Sequence, residues 1–189
     1  MHSFISFSAR VGLFAAIAVV LSFWQFPVLL MPSFLTLDIS DVPVLIGGLL
    51  GGWPAALAIA AVKNTLRIFA STSFGIGEIA NFTLSMTYVT VALALRRTGL
   101  WAYVCATVAL AAAAVVINFT VLLPLYQSAF QISTEQLLAL TRATGNRVFT
   151  VWDLMWWVIV PFNLIKGSLV ALLAVPIYRR LRVPFARRF

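Results

Sequence analysis

Polar side chains are scarce in this chain, and the ones that could bind a ligand stand inside or beside long apolar stretches. They are carboxylates, amides, two lysines and one phenol: Asp38, Asp41, Lys63, Glu78, Asn81, Asn118, Tyr126, Asn163 and Lys166. Ionisable groups at membrane depth are costly and usually mark a site. Because these residue types exchange hydrogen bonds with a polar molecule, they predict a binding pocket.

The clearest pair lies near the C-terminus. Asn163 and Lys166 are three positions apart, so they share one face of a helix. Lys166 has apolar flanks and no acid beside it in sequence, and therefore needs a partner on another helix or in a ligand. For a single Asn, hydrogen bonding between helices remains an equal alternative. Lys63 and Arg67 either belong to the pocket or extend to the membrane interface.

Catalytic patterns are missing. The sequence has no Gly-x-Ser-x-Gly, His-Glu-x-x-His or phosphate-binding loop, so we expect neither an enzyme nor ATP hydrolysis by this chain alone. The single Cys105 and the single His2 offer no disulfide, redox pair or metal site. No metal or cofactor is expected, and active transport would take its energy from partner subunits or an ion gradient.

The composition indicates that the chain carrying these polar groups is a membrane protein. Of 189 residues, 62% are hydrophobic and only 10% are charged, with a mean hydropathy of +1.04. A soluble domain carries about a quarter charged residues. The first apolar run, 11–31, exceeds the core of a signal peptide, about 7–15 residues, so we expect a retained span.

Segment lengths predict an all-α integral membrane protein with six transmembrane helices in a single membrane domain, 1–189. A span needs about 20 helical residues, or fewer where a helix is buried. The predicted spans are 9–31, 41–52, 54–70, 77–96, 100–124 and 154–180. A four-span alternative fuses the second and third, but the sequence Gly51-Gly52-Trp53-Pro54 favours a break. The long polar loop 125–150 includes three leucines that suggest a short amphipathic helix: Leu137, Leu138 and Leu140.

Basic residues set the expected orientation, with both termini in the cytoplasm. Eight of the thirteen then lie at cytoplasmic span ends, as the positive-inside rule requires: Arg10, Arg96, Arg97, Arg179, Arg180, Arg182, Arg187 and Arg188. The net charge of +8 therefore needs no nucleic-acid partner. All five acids lie toward the other side, which predicts a pocket open to the outside: Asp38, Asp41, Glu78, Glu135 and Asp153.

Four segments resemble those of one transporter family. The run 37–48 (LDISDVPVLIGG), the run 75–82 (GIGEIANF) and the run 161–167 (PFNLIKG) resemble segments of riboflavin-binding S components of energy-coupling factor (ECF) transporters. Residues 116–119 (VINF) with 124–126 (PLY) form a looser match. The resemblance extends over nearly the whole chain, and the family's six-helix topology agrees with the spans above.

The resemblance implies a vitamin-binding subunit of the bacterial inner membrane. It implies partnership with a transmembrane coupling subunit and two cytoplasmic ATPases. In the family, small residues on the first span, typically Ala-x-x-x-Ala, contact the coupling subunit. This sequence has Gly12-x-x-x-Ala16, with Ala15 and Ala18 beside it, so the register of the contact is open. Packing within the chain is an equal explanation for the small residues.

Riboflavin fits the expected pocket. The isoalloxazine ring is flat and partly apolar, and its imide and carbonyl groups pair with Asn and Lys, while the ribityl hydroxyls suit Asp and Glu. Alternative ligands are flavin mononucleotide (FMN), thiamine and biotin. A stand-alone carrier or channel is a second class of function, and an intramembrane enzyme is a third, disfavoured by the missing catalytic set.

Overall fold

A computed structural model describes residues 2–71 and 73–186, with side chains described for 7–71 and 73–181. Arg187 and Arg188, and the side chains of His2 and Arg182, lie outside the described part. The elements in chain order are α1 (His2–Ser22), β1 (Phe26–Pro27), β2 (Thr36–Leu37), α2 (Asp41–Ile68), α3 (Ile76–Ala94), a 3₁₀ turn (Arg96–Thr98), α4 (Leu100–Ile117), a π segment (Asn118–Leu122), α5 (Leu123–Phe130), α6 (Thr134–Arg142), α7 (Val151–Leu154), a second π segment (Met155–Ile159) and α8 (Val160–Ala186).

The first helix ends earlier than the sequence predicted. The expected span continued to residue 31, but α1 ends at Ser22, and the following segment forms a short antiparallel ladder in which Phe26 pairs with Leu37. Pro27 and Pro32 explain the difference, because a proline restricts the preceding residue to extended conformations and removes a helical donor. Hydropathy alone does not reveal this change from helical to extended backbone.

The predicted break in the second helix is confirmed at Gly52. This residue has φ 77° and ψ −174°, a region that essentially only glycine occupies. The two halves, 41–51 and 53–68, fold back on each other. A Cβ on Gly47 would lie 2.2 Å from Ile59 Cδ1, so the missing side chain lets the halves approach closely. We call this unit the α2 hairpin.

Two long helices each contain a widened π turn just before a proline. The π segments end at Leu122 and Ile159, two residues before Pro124 and Pro161. A proline ring clashes with the carbonyl four residues upstream and offers no N–H, so the turn widens. The helix nevertheless continues, and the fifth expected span runs on to Phe130 instead of ending at residue 124.

Four helical stretches in the described part are long and apolar enough to cross a membrane: Asp41–Ile68, Ile76–Ala94, Leu100–Phe130 and Val151–Leu181. The first of them is the α2 hairpin, and α1 adds a shorter apolar segment, Phe7–Ser22. Large apolar side chains such as Leu13, Val108 and Leu172 are exposed, as lipid-facing residues are. The chain is thus a mostly helical membrane protein.

The α2 hairpin lies at the centre of the bundle. It packs against α1, α3 and α8, and α4 packs against α3 and α8. At one end, α6 closes the bundle over a second apolar cluster that includes Leu138, Val148 and Met155. The expected amphipathic helix is therefore present, and a capping box between Ser133 and Gln136 begins it.

Candidate functional site

Asp41 is the centre of a buried ionic cluster. It begins α2 and is 5% exposed. Its Oδ1 accepts hydrogen bonds from Lys63 Nζ at 2.6 Å and from Ser85 Oγ at 2.7 Å, and its Oδ2 lies 3.1 Å from Lys166 Nζ. One carboxylate thus joins both halves of the α2 hairpin to α3 and α8.

Lys63 closes the α2 hairpin from its second half. Its side chain is 1% exposed and also donates to Ser40 Oγ at 3.1 Å. The Ser40 hydroxyl and backbone N–H both donate to Asp38 Oδ1, so Asp38 is held in the same cluster. The proposed extension of Lys63 to the membrane interface is therefore wrong. Arg67, one turn further on, lies over the Phe23 ring instead, 5.1 Å from its centre.

Lys166 links the cluster to a chain of amides. It donates to Asn81 Oδ1 at 2.7 Å, and Asn81 Nδ2 donates to Asn64 Oδ1 at 3.3 Å. Asn64 in turn donates to the Ala60 carbonyl at 2.8 Å. Lys166 therefore has the partner on another helix that its apolar flanks required, and that partner is Asp41 together with Asn81.

The cluster balances its charges within a low-dielectric interior. Lys63 and Lys166 carry two positive charges, and Asp41 and Asp38 supply two negative ones. Asp38 adds to the electrostatic attraction on Lys166. Within the described residues, every buried polar side-chain atom has a hydrogen-bond partner. Burying ions costs several kcal/mol each unless they are paired in this way. The cluster is therefore stable in the interior only when all four charged groups are present.

Glu78 and Tyr126 form a second polar group beside the first. Glu78 Oε2 accepts from Ser71 Oγ at 2.6 Å and from Ser73 Oγ at 3.1 Å, which orders the loop before α3. Tyr126 lies beside the same serine, because a Cβ on Gly77 would be 2.9 Å from Ser73 Oγ and 3.6 Å from Tyr126 Oη; its ring stacks on Phe130 with centroids 5.5 Å apart. Since Glu78 lies one turn before Asn81 on α3, this group continues the ionic cluster toward the α6 end of the bundle.

Asn118 and Asn163 keep their hydrogen bonds within their own helices. Asn118 Nδ2 donates to the Ala114 carbonyl at 2.8 Å, and Asn163 Nδ2 donates to the Ile159 carbonyl at 2.9 Å. Asn118 begins the first π segment, and the acceptor of Asn163, Ile159, ends the second. Neither links two helices through a hydrogen bond in the described part of the chain, so their amide oxygens are not used in joining helices.

The structure thus brings together five of the nine expected site residues in one cluster, and these are Asp38, Asp41, Lys63, Asn81 and Lys166. Sequence reasoning left Ser40, Asn64 and Ser85 outside the site set. A helical spacing could have found Ser85, because Glu78, Asn81 and Ser85 repeat at intervals of three and four along one face of α3. Ser40 offers no such signal, since its role depends on the return of Lys63 across the hairpin.

The small residues of α1 divide between two faces. Gly12 and Ala16 are exposed, and nothing lies within 4 Å of the position that a Cβ on Gly12 would take. Ala15 is 3% exposed and packs in the main core with Ala18. Ala15 is therefore a correction to the expected contact set, because a core residue has no surface left for a partner. Gly12 and Ala16 remain candidates.

A buried ionic cluster, with lysine and amide donors from three membrane helices, defines a helical membrane protein built around a polar core. Residues 7–178 match the family model of the ECF transporter, substrate-specific component. The chain belongs to this family, and it is therefore a substrate-binding component of a transporter rather than an enzyme.

Individual relatives agree with this assignment. The chain is 33% identical to the riboflavin transporter RibU of Staphylococcus aureus (strain TCH60), over 90% of this chain and 87% of that one. It is 26% identical to the riboflavin transporter FmnP of Bacillus subtilis (strain 168), over 91% and 90%. A solved S component of a bacterial ECF transporter superposes with a TM-score of 0.74 and 28% identity, covering 97% of this chain and 98% of that one.

Proposed function

We propose that this chain binds riboflavin, one molecule per chain, in a pocket that opens to the outside of a bacterial inner membrane. The observation that carries the proposal is Lys166, a buried lysine on α8 whose partners, Asp41 and Asn81, lie on two other helices. Relatives that carry riboflavin in their names match nearly the full chain. FMN, thiamine and biotin are the competing ligands.

The proposed site consists of the nine residues predicted from the sequence, with Ser40, Asn64 and Ser85 as supporting groups. Lys166 would donate to a ring carbonyl, and Asn163 would pair with the imide edge through its amide oxygen. Ribityl hydroxyls would bond to acidic side chains, among them Glu78. Because the buried polar atoms are already paired in the described part of the chain, the ligand must replace existing partners, and Lys166 keeps Asp41 as a counter-ion while it does so.

A fluorescence titration tests the ligand. Riboflavin added to purified, ligand-free protein should lose its fluorescence with a one-to-one end point at micromolar concentration or below. FMN, thiamine and biotin, added as competitors, measure the selectivity of the pocket. Binding of thiamine or biotin without any response to riboflavin would contradict the proposal.

The transport cycle proposed for the chain requires partners: a transmembrane coupling subunit and two cytoplasmic ATPases that drive uptake with ATP. Support comes from the family assignment and from a sequence without a nucleotide-binding loop. Vesicles that contain this chain alone should bind riboflavin but not accumulate it. Accumulation without ATPase subunits would favour a stand-alone carrier instead.

The proposed topology has six spans and cytoplasmic termini. The reversal at Gly52 supports it, because the second half of the α2 hairpin returns the chain to the side of the membrane on which the first half began. Single cysteines introduced in a Cys105→Ser background test the orientation. Thr98→Cys should react with a membrane-impermeant maleimide only after the cytoplasmic side is opened, and Gln131→Cys should react from outside in intact cells. The reverse pattern would overturn the orientation.

A further inference from the structure

A groove lies at the opposite end of the bundle from α6, between the turn of the α2 hairpin and the end of α3. Its volume is about 490 Å³, and its walls hold two arginines, a tryptophan and a threonine among small and apolar groups. Trp53 Nε1 donates to Thr90 Oγ1 at 3.0 Å, which ties the hairpin turn to α3. We call it the Arg96–Arg97 groove.

The positive charge of this groove has no counter-charge among the residues that the structure describes. Arg96 and Arg97 are exposed, and neither forms an ion pair within the described residues. All five acidic residues of the sequence are engaged elsewhere: Asp38 with Ser40, Asp41 with two lysines, Glu78 with two serines, Glu135 with Arg142, and Asp153 with the backbone of Phe149 and Thr150. Both guanidinium groups are therefore available to an anion from outside the described part of the chain.

We propose that the Arg96–Arg97 groove binds the phosphodiester headgroup of an anionic phospholipid. In the orientation proposed above, the groove faces the cytoplasmic leaflet, where basic pockets between membrane helices recognise such headgroups. The guanidinium groups match phosphate oxygens in charge and geometry. Trp53 is half exposed, and tryptophan is typical of the membrane interface because its ring is amphipathic.

The groove has the dimensions and the surroundings for a lipid. Its volume exceeds that of a phosphate group and leaves room for the glycerol, while Leu93 and Ala94 provide an apolar wall. The neighbouring Leu100 and Trp101 are 65% and 70% exposed, so acyl chains have an apolar surface beside the groove. A soluble anion would use only the arginines and none of this surface.

Native mass spectrometry in uncharged detergent tests the proposal with dioleoyl phosphatidylglycerol as the probe and phosphatidylcholine as the comparison lipid. Wild-type protein should retain phosphatidylglycerol selectively. The double variant Arg96→Gln/Arg97→Gln should bind it about 25-fold more weakly, which corresponds to about 1 kcal/mol for each arginine. The matched control is Arg179→Gln/Arg180→Gln, which removes the same charge from exposed positions that do not line this groove.

Three results decide the matter. A selective loss in the groove variant, with the control near wild type, supports the lipid site. Equal losses in both variants would overturn it in favour of general electrostatic attraction. Displacement of the lipid by millimolar inorganic phosphate would overturn it in favour of a soluble anion. Riboflavin titration of both variants should match wild type, so this test is independent of the flavin site.

Discussion

Lys63 Nζ lies 2.6 Å from Asp41 Oδ1, although the two residues are 22 positions apart in what is formally one helix. In a straight helix their Cα atoms would be about 33 Å apart, at about 1.5 Å per residue. The ion pair therefore exists only because the helix reverses at Gly52. The same reversal brings Ser40 and Asn64 into the site and makes the α2 hairpin its structural foundation.

Replacing Gly52 with alanine tests whether the ionic cluster depends on the α2 hairpin. The backbone at Gly52 lies in a region that costs other residues about 1–3 kcal/mol. We expect Gly52→Ala to lower the thermal unfolding midpoint in detergent and to weaken riboflavin binding, because the cluster depends on the hairpin. Gly12→Ala is the control, since Gly12 is exposed and helical, and an added Cβ there would meet nothing within 4 Å. Equal midpoints for the two variants would show that the hairpin turn is tolerant of a side chain.

Asp41 should contribute more to stability than either of its lysines. In Asp41→Asn, both lysines stay buried and lose their shared counter-ion, and breaking a buried pair in this way costs about 3–5 kcal/mol. In Lys63→Met or Lys166→Met, the carboxylate keeps the other lysine. Unfolding in increasing denaturant should therefore rank Asp41→Asn as the least stable of the three. A lysine variant that is less stable than Asp41→Asn would contradict the shared-carboxylate model.

Lys166 and Asn163 should affect ligand binding beyond their effect on stability. A lost hydrogen bond to a buried partner costs about 1–3 kcal/mol, or roughly ten- to hundredfold in affinity. We expect Lys166→Met and Asn163→Leu to weaken riboflavin binding by at least tenfold in the fluorescence titration. Thr87→Val on α3 is the control, because its hydroxyl bonds only to the Thr83 carbonyl of its own helix. If both site variants bind riboflavin with wild-type affinity, Lys166 and Asn163 serve only to hold the helices together.

The exposed face of α1 should matter for assembly and not for ligand binding. Ala16→Trp adds bulk to an exposed face of α1 that also carries Gly12, one turn away, and small residues on such a face allow close helix approach. We expect reduced co-purification with the coupling subunit and reduced uptake, with an unchanged riboflavin titration. Val108→Trp serves as the control, since Val108 is 57% exposed and belongs to a different helix, α4. Normal assembly of Ala16→Trp would place the contact on a different face.

Most of the fold was accessible from the sequence because apolar length and helix-breaking residues act locally. The break at Gly52 and the amphipathic helix α6 follow from residues that lie within a few positions of each feature. The end of α1 did not follow from hydropathy. The sequence stays apolar through Trp24 and Phe26, whereas Pro27 and Pro32 turn the backbone from helical to extended. The π turns before Pro124 and Pro161 did not follow either, because the widening depends on how each long helix is held by its neighbours.

The sequence by itself determined that this chain is a membrane protein with rare polar groups, and that Lys166 needs a partner, because burial of a lone charge costs several kcal/mol of desolvation energy. Only the tertiary structure decided which acid that partner is. Nothing in the sequence distinguishes Asp38, Asp41 and Glu78 as partners of Lys166. The α2 hairpin places Asp41 between Lys63 and Lys166, while Ser71 and Ser73 engage Glu78. A pairing across helices depends on distances between residues far apart in sequence, and those distances exist only once the helices have packed.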